Sequence, residues 1–380
     1  MISVKRVIDI IINIHLFYCC YSESFKMITR KDLLVASPFI FVNTNRNKNE
    51  YLNRPIVVLG GSGYLGSDCV KGLANNKLRV RSVSRNPFKI NDKDIDNNYV
   101  EYKSADVLQG ESKELNDVIR DAYAVIYTIN AKKRGNINNE NEKNNIQSYT
   151  DTSVYGLINT ANLCITHGVK RLVVVSASCI SCNEDYNNKI DKICGLKCEH
   201  CRAKQEGETA LKQLYLDNNN NNQKNNNNNN NGYTIIRTGI LTIGEKRGVE
   251  EIEINQDYSK SGMISRLDLA DLCINSIFNE NTKDTTFEAY YRDTIQPVDV
   301  KKSLTTCMEL GKSLEECFFG SEFKNKKPKN LDETLKTPIR GTLFATGNEM
   351  NGKTWNQLFK NLKKDTYKDI DLFNINSGLS

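Results

Sequence analysis

Three sets of residues in this chain have types and spacings that can do chemistry. The first is the run Ile56-Val57-Val58-Leu59-Gly60-Gly61-Ser62-Gly63-Tyr64-Leu65-Gly66. Four apolar residues suit a buried strand, a glycine-rich turn follows, and helix-compatible residues continue to Leu73. Glycines at 60, 63 and 66 give the GxxGxxG spacing. A diphosphate rests on backbone N–H groups at a helix N-terminus only where no side chain blocks it. Gly60, Gly61, Ser62, Gly63, Tyr64, Leu65 and Gly66 are therefore candidate dinucleotide contacts, and the flanking strand and helix supply the context this motif requires.

The second set is Ser84-Arg85, nineteen positions beyond Gly66 at the end of the next strand. In a Rossmann fold that place meets the adenosine ribose. An acid there favours NAD, whereas a cation pairs with a 2′-phosphate and favours NADP. Arg85, with Arg81 nearby and no acid, selects NADP as the expected cofactor, with NAD as the alternative. A simply solvated arginine is the competing reading.

The third set is Cys179, Cys182, Cys194, Cys198 and Cys201, with His200 among them. Two close cysteine pairs about a dozen residues apart are compatible with a tetrahedral zinc site. The same spacing suits redox disulfides or ordinary free thiols, and the residues alone leave all three open. Twelve cysteines in 380 residues do not make a disulfide scaffold.

These residues need elements to hold them. An α/β pattern begins at Pro55. Strands are expected over 78–84, 99–102, 124–129, 171–176 and 233–237, with helices over 112–120, 150–167 and 204–216. Alternation of this kind predicts a Rossmann-like, doubly wound parallel sheet, placed at residues 55–299. Residues 218–231 are almost pure asparagine and are expected to form a disordered insert. Residues 300–380 read as a small, poorly defined C-terminal extension that either caps the sheet or binds a partner.

The N-terminal part does not read as fold. Residues 1–22 follow the plan of a secretory signal peptide, and 23–54 are basic and poor in acids, like an organelle transit peptide. The apolar run at 7–20 is too short and too interrupted for a firm membrane span. Residues 24–54 carry about +4 of the net charge of +6, so the remainder is near neutral and nothing argues for nucleic-acid binding. The mean hydropathy of −0.53 reflects asparagine-rich inserts rather than a weak core.

In family order, Val58–Gly66, Ser84-Arg85-Asn86-Pro87, Ala105-Asp106-Val107, Gly168–Ser176, Ala203–Glu208, Tyr233–Arg237 and Ile264–Ala270 resemble the atypical short-chain dehydrogenase/reductases, the NAD(P)-binding group that includes NmrA-like proteins. The likeness is greatest to the plastid branch associated with the inner-envelope translocon and photosystem assembly. With the two-part leader, it implies delivery to a relict plastid (the apicoplast), a plain secretory route being the alternative. The resemblance implies that Asp106 and Val107 contact adenine and that Asn130 and Ala131 flank the nicotinamide. It also implies catalytic roles around Lys204, Ser176 and Ser178.

Active members of that group use a Tyr-x-x-x-Lys pair, in which the lysine lowers the tyrosine pKa so that the phenol can pass a proton to a carbonyl. Here His200 stands four residues before Lys204. A histidine is either an acid near neutral pH or, more plainly, an exposed residue or metal ligand. Thr238 replaces the group's usual proline. Two functions are thus expected: an NADP(H)-dependent oxidoreductase with an unidentified, quinone-like acceptor, or a non-catalytic NADP(H)-sensing scaffold that docks an unidentified protein partner.

Overall fold

In a computed structural model of the chain, the structure describes residues 53–90, 93, 95–130, 149–178, 198–224, 231–256, 260–297, 307–313 and 348–370. The leader therefore lies outside the described residues except for its last two. Those two belong to the fold: Arg54 donates to the carbonyls of Asp121 (3.3 Å) and Ala122 (2.6 Å), and Asn53 accepts from Arg79.

One eight-stranded sheet organises everything else, in the order β3-β2-β1-β4-β5-β6-β11-β8. Its strands are β1 (Ile56–Leu59), β2 (Val80–Ser84), β3 (Val100–Ser104), β4 (Ala124–Tyr127), β5 (Arg171–Ala177), β6 (Gly232–Thr238), β8 (Ile252–Asn255) and β11 (Thr285–Tyr291), and the short strands β7 (Ile240–Thr242), β9 (Lys260–Ser261) and β10 (Met263–Ser265) lie outside it. Every neighbouring pair is parallel except β11 with β8. The order reverses between β1 and β4, which makes that junction the topological switch point, where open α/β sheets bind ligands.

A sheet covered on both faces needs strands that are apolar on both sides. β1 meets that need: Ile56 and Val58 enter one core, Val57 and Leu59 the other. The first core is closed by α1 (Tyr64–Asn75) through Leu65, Cys69 and Val70, and by α5 (Arg266–Phe278) through Leu269 and Leu272. The second is closed by α2 (Lys113–Ile119), α3 (Gly156–Thr166) and α4 (Cys198–Lys224), through Leu115, Leu157 and Leu211 among others. Ser112 caps α2 by accepting from the Leu115 N–H, and a π-helical turn, Asp151–Tyr155, leads into α3.

One expectation changes: α4 continues to Lys224, so residues 218–224 of the asparagine run are helical rather than a disordered insert. Asparagine is a weak helix former, but tertiary contacts override propensity. The Tyr367 hydroxyl donates to Asp217 and accepts from Asn220, and Asn218 donates to the buried Asn231. Residues 225–230 lie outside the described residues.

The described part of the C-terminal extension packs against the sheet, the first of the two alternatives its sequence left open. Met350 and Ile254 exchange backbone hydrogen bonds of 2.9 Å. Leu358 and Phe359, on α6 (Trp355–Phe359), are fully buried in the first core. Asp365 is buried, accepting from the Tyr233 hydroxyl (2.9 Å) and the Thr286 hydroxyl (2.6 Å) beside Lys212 Nζ (3.7 Å). Val300 to Cys317, whose sequence also reads as helical, falls mostly outside the described residues.

Candidate dinucleotide site

The glycine turn occupies the switch point. Gly60 has φ +88°, a left-handed conformation that side chains resist, and its N–H donates to the Val83 carbonyl. Gly66 is required by close approach: a Cβ there would run into the Gly60 carbonyl group and reach 2.9 Å from Thr128 Oγ1. Gly63 is the N-cap of α1, which has no side-chain cap and no acid in its first turn. Its first N–H groups, which have no intrahelical acceptor, thus face outward from a bare cradle with a positive dipole end. The chain's own geometry therefore fits a dinucleotide diphosphate.

Ser62 Oγ and Ser84 Oγ lie 2.7 Å apart, which ties the turn to the end of β2. Arg85 follows, exposed, its carbonyl accepting from the Ser104 hydroxyl. Among the described residues its guanidinium has no partner, as a group awaiting an anion requires. Arg81 does not share this role. It is buried on the face of Val83, with Nε 2.6 Å from Glu101 and Nη1 2.7 Å from Asp121, so it staples the sheet edge instead of facing the ribose.

Asp106 is half-buried, and its Oδ1 accepts from the Leu108 N–H, forming a turn cap directly after β3. Val107 is buried, with its carbonyl held by Asn159. Asn130 is exposed beyond the end of β4, and Ala131 lies outside the described residues.

At the other side of the switch point, Ser176 and Ser178 are both buried. Among the described residues Ser176 Oγ has no hydrogen-bond partner, whereas Ser178 Oγ is 2.6 Å from Ser261 Oγ. Lys204 is buried on α4, and its Nζ donates to the Val175 carbonyl at 3.3 Å. Burial lowers its pKa from 10.5 to about 8, against the opposing pull of Glu208. His200 is buried one turn earlier. Burial and then Lys204 lower its pKa from 6.5 to about 4, so it is neutral at pH 7 and is not the imidazolium acid that the sequence made available.

The structure also brings together residues that sequence reasoning missed. Tyr149 sets its ring edge-on to His200, centroid to centroid 4.9 Å. Its position after a polar loop gave no signal. Glu208, one turn beyond Lys204, holds Arg237 of β6 through Nε (3.0 Å) and Nη2 (2.5 Å), and Arg237 Nη1 reaches Glu288 at 3.4 Å. An acid four residues after a helical lysine was readable as an i,i+4 partner, but burial gave it to Arg237 instead.

Of the cysteine set, Cys179, Cys182 and Cys194 lie outside the described residues, as does the Cys198 side chain. Cys201 is buried and disulfide-bonded, as is Cys307. A sulfur in a disulfide is not a thiolate ligand, so Cys201 in this state does not bind zinc. Among the described residues no group of three or more His, Cys, Asp or Glu side chains is arranged to hold a metal ion. No helix among them is long and apolar enough to cross a membrane.

A parallel sheet wound in both directions, with a glycine cradle at its switch point, defines a Rossmann-type dinucleotide-binding protein. Residues 60–280 match the model of the NAD(P)H-binding family, and the chain belongs to that family. No curated protein matches it in sequence. Solved structures similar to it include an oxidoreductase from Lactococcus lactis, with TM-score 0.45 and 19% identity, covering 67% of this chain and 97% of that one. A Rossmann-fold NAD(P)-binding family protein from Shigella flexneri has TM-score 0.43 and 14% identity, covering 64% and 96%. A short-chain dehydrogenase/reductase from Veillonella parvula, solved in complex with NADP, has TM-score 0.44 and 13% identity, covering 63% and 96%.

Proposed function

We propose that this chain is an NADP(H)-dependent oxidoreductase of the atypical short-chain dehydrogenase type that reduces a quinone-like acceptor. The observation that carries the cofactor choice is Arg85, a partner-free guanidinium exposed at the end of β2, where the adenosine ribose lies. When bound, NADPH supplies a hydride, and the acceptor takes its proton from solvent. The α1 N-terminus and the glycine turn hold the diphosphate, Ser84 and Arg85 the 2′-phosphate, and Asp106 with Val107 the adenine side. Lys204 lies toward the nicotinamide end, where its cation can bond a ribose hydroxyl.

The quinone-like acceptor follows from what α4 lacks. His200 is held neutral and no tyrosine stands in its place, so position 200, where active members carry the donor, offers no strong acid. A hydroquinone anion needs less acid assistance than an alkoxide, so the acceptor class fits the residues present. A second reading is an NADP(H)-sensing scaffold that turns over nothing. It is favoured by Lys204 Nζ, which is engaged by the Val175 carbonyl. The resemblance to the translocon-associated branch and the two-part leader support delivery to a plastid-type organelle, where such a scaffold would meet a protein partner. Fusing residues 1–54 to a fluorescent protein tests that address.

The experiment is NADPH oxidation against a panel of benzo- and naphthoquinones, run beside equilibrium NADPH titration. Turnover supports the enzyme. Tight NADPH binding with a flat panel refutes it in favour of the scaffold.

A further inference from the structure

α1 and α5 both begin at the carboxyl edge of the sheet. α1 leaves that edge after β1. α5 runs against the strands, because β11, which follows it, is parallel to β6. The two helices share one core, so their first turns stand side by side. Arg266 is the first residue of α5 and Tyr64 the first of α1. The Arg266 guanidinium carbon lies 5.1 Å from the centre of the Tyr64 ring, and Tyr64 is 83% exposed. A cation is thus parked over the residue that opens the phosphate-binding helix.

The parking is loose. The carboxylate next to Arg266 is Asp68, with Nε 3.9 Å from Oδ2, beyond hydrogen-bond distance. Both of these atoms are buried, and among the described residues neither has a hydrogen-bond partner. The Asp68 side chain is only 9% exposed, and burial raises its pKa despite the pull of Arg266. A buried donor and a buried acceptor left unmade next to each other cost free energy, and a better acceptor for the guanidinium would recover part of it. A diphosphate is such an acceptor: doubly charged, and matched to the planar fork of an arginine.

We infer that Arg266 is a mobile clamp on the dinucleotide diphosphate, held in reserve by Tyr64 and Asp68 and turned onto the phosphates when the cofactor binds. This rests on the cofactor reading above but assigns a different task from that of Arg85. Arg85 discriminates NADP from NAD, whereas Arg266 grips the part that both share. Asp68 then opposes binding, because its carboxylate competes for the guanidinium and repels the phosphates.

The test is equilibrium titration of the full chain and three variants with four probes: NADPH, NADH, ADP-ribose and adenosine 2′,5′-bisphosphate. The last has no diphosphate bridge. Arg266→Ala should weaken NADPH, NADH and ADP-ribose alike, by about tenfold, and the bisphosphate, which keeps only the adenosine-side phosphate, by clearly less. Arg266→Lys, which keeps the charge and loses the fork, should fall between. Asp68→Asn should tighten the three diphosphate ligands, an effect that mere damage to the helix pair would not produce. Unchanged NADPH affinity in Arg266→Ala, an equal loss for the bisphosphate, or weaker binding in Asp68→Asn would each overturn the clamp. A wild type that binds none of the four probes would overturn the cofactor reading itself, and the clamp with it.

Discussion

Replacing Lys204 with methionine should make the protein more stable at pH 7. Lys204 is buried, and its pKa is lowered from 10.5 to about 8, chiefly by loss of hydration. At about 1.4 kcal/mol per pH unit, that displacement corresponds to a folding cost of about 3 kcal/mol while the amine is charged in both states. The sign follows from proton counts. Between pH 8 and 10.5 the unfolded chain holds the proton and the folded chain has released it, so stability rises with pH through that window. Below it, the cost is fully present. Methionine removes the charge at similar length. It also strands the Val175 carbonyl, now an acceptor at 3.3 Å, at a cost of about 1 kcal/mol. Glu208 is not stranded, because Arg237 holds it. The net expectation is a gain of about 2 kcal/mol at pH 7, shrinking as pH approaches 10.5. Urea unfolding at pH 7 and pH 10 measures both. Destabilisation at pH 7 with an unchanged pH slope would mean instead that the buried ammonium is stabilised by its surroundings.

Gly66→Ala should abolish NADPH binding and cost about 3 kcal/mol of stability, since its Cβ would press on Gly60 backbone and lie 2.9 Å from Thr128 Oγ1, neither at the far end of a flexible chain; thermal unfolding and NADPH titration read the two effects. His200 titrates near 4 in the folded chain against 6.5 ordinarily, so the unfolded chain takes up the proton first as pH falls, and stability should drop between those values. His200→Gln should flatten that part of the pH–stability curve, and a curve identical to wild type would show that the ring is not desolvated. Asp365→Ala should cost about 3 kcal/mol by breaking a buried pair with Lys212 and releasing the Tyr233 and Thr286 hydroxyls; a loss below 1 kcal/mol in urea unfolding would mean that the C-terminal segment is not part of the cooperative unit.

The central strands were legible because burial on both faces writes itself as unbroken apolar runs, as in Ile56-Val57-Val58-Leu59 and Leu172-Val173-Val174-Val175. β11 was not, because Thr285, Thr286 and Glu288 are buried polar residues that break its apolar pattern while serving Asp365, Arg237 and the turn before it. The helical asparagines were illegible for a similar reason. Their partner, Tyr367, is about 150 residues away, and no local propensity encodes it. At the site, the glycine cradle could be read from spacing alone, because close approach depends on what a residue lacks. Arg81 could not: strand alternation puts it on the face of Val83, but its carboxylates come from β3 and from the turn after α2. The pairing of Tyr149 with His200 depends on how the π-helical turn packs against α4, which no spacing records.

Arg85 is proposed to make this NAD(P)H-binding chain prefer NADP over NAD. The most direct measurement is the ratio of NADH to NADPH dissociation constants in the wild type and in Arg85→Ala, by equilibrium titration at fixed ionic strength. The wild type should prefer NADPH by at least about tenfold, the worth of a charged hydrogen bond to the 2′-phosphate, and that preference should collapse toward unity in the variant through loss of NADPH affinity alone. Equal weakening of both cofactors in Arg85→Ala, or a wild type that favours NADH, would contradict that role for Arg85.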